Sequence, residues 1–253
     1  LIPVFLYLVS ILVFLYFVVK KRINNVLLHI IFLVAAAFVG KIIISSLSTQ
    51  GLLVIGAKTK TAFNNGYWFW AMKIEDVYEF ISNYVGLYQN ILDTGHLKGH
   101  PIMSVLFYWV IIEYISKDPQ VSGYVYGLTA SLTVIPFYFL VRYMTGLKTA
   151  GFAAALFYAL TPNSMILSIA GTDALVVLFV AFFVWLAVVG AGRGSIAVLV
   201  LAGFLFGIGT YFSFGIWHLL MFVFLMIFAW ESLLKRENRI PEILRWLRSI
   251  TAV

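Results

Sequence analysis

The first 72 residues contain no Asp or Glu. Cysteine is absent from all 253 residues, which excludes disulfides and thiolate chemistry. Charge of either sign is scarce: Asp, Glu, Lys and Arg make up 11% of the chain, against about 25% in soluble domains. With 63% hydrophobic residues and a mean hydropathy of +1.02, the chain reads as an integral membrane protein with little room for a separate soluble domain. The net charge of +7 does not point to nucleic acid. Most Lys and Arg lie between or just beyond apolar runs, where the positive-inside rule accounts for them. The partners expected from composition are membrane lipids.

Against that background the acids stand out. Glu75, Asp76, Glu79 and Asp93 arrive together, followed by His96, Lys98 and His100. From Pro119 to Trp230 the only acid is Asp173. Ionisable groups near a bilayer are costly unless placed for a purpose, so this distribution points to a polar site at the water interface.

The expected fold class is all-α: a polytopic transmembrane helical bundle of about seven spans, each near the roughly 20 residues that a crossing needs. Residues 1–48 hold two spans, with Lys20-Lys21-Arg22 between them on the cytoplasmic side. Residues 49–122 form a long external loop with the acidic motif and juxtamembrane helices. Residues 123–234 hold five spans, at about 124–143, 150–167, 174–189, 195–212 and 215–233. Residues 235–253 are a basic amphipathic tail on the cytoplasmic surface. The bases Arg142, Lys148, Arg193, Lys235, Arg236 and Arg239 fall at alternate span ends, on the same face as Lys20-Lys21-Arg22. Asp173 then shares the opposite face with Glu75 and Asp76, provided that Ile102–Ile115 lies in the interface and does not cross. The chain opens on Leu1 rather than Met and is expected to be a piece of a longer protein.

Within the loop, Ile74–Leu92 reads as an amphipathic helix with Ile74, Val77, Ile81 and Tyr84/Val85 on one face. Glu75 and Glu79 are one turn apart on it, with Asp76 alongside. That arrangement is either a solvated acidic face or a site. Asp173, at a helix mouth, can act as an N-cap, as can Thr172. His96 and His100, flanked by glycines, offer no third ligand for zinc; with Lys98 they read as a polar turn or as an anion-holding group. Tyr67-Trp68-Phe69-Trp70 marks the membrane interface or a sugar-stacking platform. His29 and His218 are read as bonding neighbouring backbone or facing the bundle interior. Lys41 is read as snorkelling from its helix end, and Gly203, Gly207 and Gly209 as suiting close helix packing.

The order of these features resembles the GT-C class of integral membrane glycosyltransferases. An acidic pair opens the first large external loop, and a Gly99-His100-Pro101 turn follows. A helix ends Tyr138-Phe-Leu-Val-Arg142-Tyr-Met-Thr-Gly146. The stretch AGFAAALFYALTPNSMILSIAGTD then runs to Asp173, and a Tyr211-Phe-Ser-Phe-Gly215-Ile-Trp217 turn comes later. Residues 126–173 look most like the catalytic subunit of archaeal oligosaccharyltransferase. The protein O-mannosyltransferase and aminoarabinose transferase branches share the acidic pair and a His/Lys-Pro-Pro turn.

The resemblance implies transfer of a sugar or oligosaccharide from a polyprenyl-phosphate-type lipid to a protein, lipid or glycan acceptor on the external face of a prokaryotic plasma membrane. It implies inversion with carboxylate assistance, Asp76 and Glu75 being the catalytic pair. A carboxylate can remove the acceptor proton and steady an oxocarbenium-like transition state. The resemblance places His100, Lys98, Asp173, Glu79 and His96 in substrate binding. It also raises Mg2+ or Mn2+ on Asp76 and Asp173, completed by lipid phosphate and water. The rival readings are a transporter or flippase-like lipid-binding protein and a non-catalytic membrane subunit of the same fold.

Overall fold

The computed structural model describes residues 2–60, 66–84, 86, 102–166, 171, 173–213 and 216. Among these residues the protein is helical throughout, with no strand. Four stretches are long and apolar enough to cross a bilayer: Ile2–Val19, Val26–Ser46, Pro119–Thr145 and Asp173–Arg193. Shorter apolar helices cover Met103–Tyr114, Lys148–Leu160 and Ile196–Thr210. The protein is an integral membrane helical bundle.

Helices α1 (Ile2–Val19) and α2 (Val26–Ser46) form a first pair. Asn25 starts α2 by accepting from the Leu27 and Leu28 amides at 2.8 and 3.4 Å, filling two of the bonds that a helix start lacks. Short helices α3 (Leu53–Lys60), α4 (Tyr67–Ala71) and α5 (Val77–Ser82) follow, then α6 (Met103–Tyr114). Helices α7 (Pro119–Ser131) and α8 (Val134–Thr145) continue the bundle. Asp118 caps α7 through the Gln120 amide at 2.8 Å, with Pro119 in the first turn, where its missing N–H costs nothing.

The expected span over 124–143 is not one rod. It breaks at Leu132-Thr133, because Pro136 has no N–H to continue the ladder and its ring crowds the preceding turn. Ile135 turns back to the Leu132 carbonyl at 2.9 Å, a tighter bond than the helical one. The expected span over 150–167 is also interrupted: α9 (Lys148–Leu160) stops before Pro162, and α10 (Pro162–Ile166) begins there. Helices α11 (Asp173–Arg193) and α12 (Ile196–Thr210) complete the described bundle. The span expected over 215–233, the tail over 235–253 and His218 lie outside the described residues.

Two glycines shape the α8–α9 hairpin. Gly146 takes φ +73°, the left-handed turn that ends α8. Gly151 lets α9 press onto α8; a Cβ there would come within 2.5 Å of the Tyr138 carbonyl oxygen.

Contacts sort the helix termini into two ends. At one end, Lys148 Nζ donates to the Asn24 carbonyl (3.2 Å) and Oδ1 (3.0 Å), next to Lys20-Lys21-Arg22. Arg193 lies 5.9 Å from the Tyr143 ring at the same end. At the other end, Gln120 ties α7 to the chain just after α2, donating to the Leu52 carbonyl and accepting from the Gly56 amide, both at 2.8 Å. The Met103 amide bonds the Tyr211 carbonyl there at 3.1 Å. Helix α6 therefore starts beside the end of α12 and leads into the start of α7 without leaving this end of the bundle. Its 12 residues span roughly 18 Å, too short for a crossing.

Lys41 departs from expectation. It does not snorkel; it is 1% exposed. Its Nζ donates to Ser131 Oγ at 3.1 Å and the Ala37 carbonyl at 3.4 Å, while Ser131 Oγ donates to the Gly127 carbonyl at 2.8 Å. Helix α2 packs against both α7 and α8, so the side chain has no route outward and ends beside the Leu132-Thr133 break. His29 is likewise buried, 3.2 Å from the Tyr138 hydroxyl and 3.1 Å from the Ile23 carbonyl. A Cβ at Gly203 or Gly207 would meet nothing within 4 Å among the described residues, whereas one at Gly209 would press on Phe179 and Ile216.

Ser131→Ala removes the shorter hydrogen bond of a buried ammonium. It is expected to cost about 1–3 kcal/mol and to lower the melting temperature in detergent. Lys41→Met removes the charge together with its need for partners and is expected to cost less. Scanning fluorimetry on the two variants checks the order.

Candidate functional site

The acidic segment is anchored from below. Helix α4 plants Tyr67 and Ala71, each 1% exposed, in a cluster with Tyr108, Val105 and Ile111 of α6 and Tyr126 of α7. Trp68 and Trp70 pack against the same cluster. The Tyr67–Trp70 run is thus mostly a packing wedge; Phe69, 44% exposed, is its outward ring. Lys73 returns over that surface, its Nζ 4.3 Å from the Phe69 ring centre and 4.7 Å from that of Trp70.

Ile74 reaches back to the cluster, and Glu75 and Asp76 face outward. The predicted helix from Ile74 starts three residues late. Asp76 is extended (φ −125°, ψ 115°), and its Oδ1 accepts from the Tyr78 and Glu79 amides at 2.7 and 3.1 Å. Asp76 is thus the N-cap, which places Glu75 outside α5 and removes the one-turn spacing to Glu79. The inward face also differs: Phe80 packs on the cluster, while Ile81 is 49% exposed. The acids nevertheless converge, since Glu75, Asp76 and Glu79 line one open cleft of about 250 Å³ with Lys73, Asn83, Ile74 and Phe80.

Asp173 is the first residue of α11 and is exposed. Thr172, the other capping candidate, lies outside the described residues. A carboxylate in this first turn is favoured by the helix dipole. Ala174, Leu175 and Leu178 of α11 enter the same cluster as Tyr67, Ala71, Ile74 and Phe80. The segments carrying Glu75, Asp76, Glu79 and Asp173 therefore share one end of the bundle, opposite Lys148 and Arg193. His96, Lys98 and His100 lie outside the described residues, as does Asp93.

For a hard cation the donor set is thin. Among the described residues no three His, Asp or Glu side chains are placed to hold one metal ion, and Asp76 already commits one oxygen to two amides. Two carboxylates fall short of the six or more oxygens such an ion takes, so no chemical step is routed through a metal.

Two residues at this end escaped the sequence reading. Lys73 had a signal: it follows Phe69 and Trp70 by four and three residues, the spacing of one helical face. Tyr126 had none, because its partner, the Gly171 carbonyl at 2.9 Å, is 45 residues away.

No curated protein and no solved structure matches the chain. The protein-family model described as dolichyl-phosphate-mannose-protein mannosyltransferase matches residues 99–247, more than half of the sequence. The matched stretch contains His100 and Asp173 and begins after Glu75, Asp76 and Glu79. This all-helical membrane protein belongs to the dolichyl-phosphate-mannose-protein mannosyltransferase family, of the GT-C glycosyltransferase type.

Proposed function

We propose that the protein transfers a sugar from a polyprenyl-phosphate carrier to an acceptor hydroxyl, with inversion, on the external face of the membrane. The acceptor is a hydroxyl of a protein, lipid or glycan. The observation that carries this reading is the packing of the acidic segment and the start of α11 into one cluster, at the end away from the basic turns, in a chain of this family.

In this reading Asp76 takes the acceptor proton, with Glu75 beside it. The acceptor oxygen attacks the anomeric carbon from the side opposite the carrier. The bond from that carbon to the phosphate oxygen breaks, and its electron pair leaves on the lipid phosphate. His100 and Lys98 hold that phosphate, with His96 nearby, and Glu79 and Asp173 bind the sugar or acceptor. The cap bonds support Asp76 as the base: two backbone amides hold one oxygen in place and leave the other to face the acceptor.

One observation favours a transporter instead. Lys41 is an ionisable group inside a span, beside a broken helix, the kind of element from which transport sites are built. Its near-complete burial and its bonds to neutral groups fit packing better than a path. Counterflow of a lipid-linked sugar in proteoliposomes without transfer would select the transporter.

Asp76→Asn keeps a capping side chain and removes the base. Transfer from polyprenyl-phosphate-mannose to acceptor is expected to fall by about 10²–10⁴-fold with the melting temperature unchanged. Glu75→Gln is expected to fall less, and full transfer by the double variant defeats the mechanism. The cysteine-free chain also permits a direct test of sidedness. Asn83→Cys and Asp173→Cys are expected to react with an impermeant maleimide from outside intact cells, and Lys21→Cys only after permeabilisation. Labelling of the first two from opposite sides rules the site out.

A further inference from the structure

At the start of α11, Tyr126 is 0% exposed, stacked on Tyr108 with ring centres 5.5 Å apart and planes at 15°, and edge-on to Phe107 at 5.5 Å. The two stacked phenols have different fates. Tyr108 meets no hydrogen-bond partner among the described residues. Tyr126 donates to the Gly171 carbonyl at 2.9 Å, the carbonyl that also receives the Ala174 amide at 3.0 Å.

The first amides of a helix lack partners within it, and the chain entering the helix is the part least held by its own ladder. Here that entry is held from a neighbouring helix. The phenol has its ring fixed between Tyr108 and Phe107, and its hydroxyl grips the backbone two residues before Asp173. A ring so packed cannot follow the chain outward, so the grip fixes where α11 begins.

We infer that Tyr126 is a positioning residue: its hydroxyl holds the Gly171–Asp173 entry of α11 and thereby sets the place of the Asp173 carboxylate above the cluster it shares with the acidic segment. The inference rests on the transfer reading for its effect on activity, and on geometry alone for its effect on the chain.

Tyr126→Phe keeps the ring and removes the hydroxyl; Tyr108→Phe, one stacked ring away, is the matched control. Hydrogen exchange of the full-length protein in nanodiscs is expected to speed up roughly fivefold at Ala174 and Leu175 in Tyr126→Phe and to stay unchanged in Tyr108→Phe. Impermeant maleimide labelling of Asp173→Cys is expected to change in step with exchange. Tyr126→p-aminophenylalanine, which keeps a donor at the same place, is expected to restore protection, and it carries the comparison if Tyr126→Phe does not accumulate. In transfer assays, Tyr126→Phe is expected to lower kcat in the Asp173 protein and to add nothing in the Asp173→Asn background. Equal exchange in Tyr126→Phe and Tyr108→Phe, protection lost in the p-amino variant as well, or additive losses with Asp173→Asn would each overturn the inference. Full transfer by Asp76→Asn overturns the transfer reading instead, and the exchange contrast then decides the anchoring alone.

Discussion

A hydrocarbon interior offers no partner to a polar group, so each one must be satisfied within the protein or moved to an end of the bundle. That constraint arranges this molecule. Lys20, Lys21, Arg22, Arg142, Lys148 and Arg193 lie at or beside the turns after α1, α8 and α11, where Lys148 finds Asn24 and Arg193 finds the Tyr143 ring. Glu75, Asp76, Glu79 and Asp173 lie at the other end, on the segment after α4 and at the first residue of α11. Several polar groups left inside are bonded in pairs and chains, Lys41 to Ser131 to Gly127 and His29 to Tyr138, while the Tyr108 hydroxyl is left without a partner among the described residues.

The acidic end is held by aromatic packing more than by charge. Tyr67, Tyr108 and Tyr126 are fully enclosed, and around them the chain supplies Trp68, Trp70, Phe107 and Phe212. Separate stretches meet in that cluster: the segment around α4 before the acids, the short helix α6, α7, the top of α11 and the end of α12. The two acidic segments differ in local support: α5 has six residues, whereas Asp173 opens the 21-residue α11. For the first of them the cluster provides the footing that local structure does not.

The broad plan was legible because scarcity is informative. With acids so few, Glu75, Asp76, Glu79 and Asp173 stood out in the sequence, and the structure brings the segments that carry them to one end of the bundle. Finer features were hidden for physical reasons. Lys41 has an apolar stem that suits either snorkelling or burial, and only the packing of α2 on α7 and α8 decides between them. The break at Leu132-Thr133 had its marker in Pro136, but a long apolar run on both sides masked it. Asp76 was readable as a helix cap by residue type, yet the hydrophobic spacing from Ile74 suggested an earlier start. The Tyr126–Gly171 bond joins distant parts of the chain and leaves no local pattern. His96, Lys98 and His100 lie outside the described residues.

The proline break in the 119–145 segment has a mechanical meaning. A continuous rod would carry any tilt at its basic end straight through to Gln120 and Tyr126. Here two half-length pieces share the work, and Lys41 ties the first of them to α2 beside the joint. The floor beneath the carboxylates and the basic end thus stand on different helical pieces.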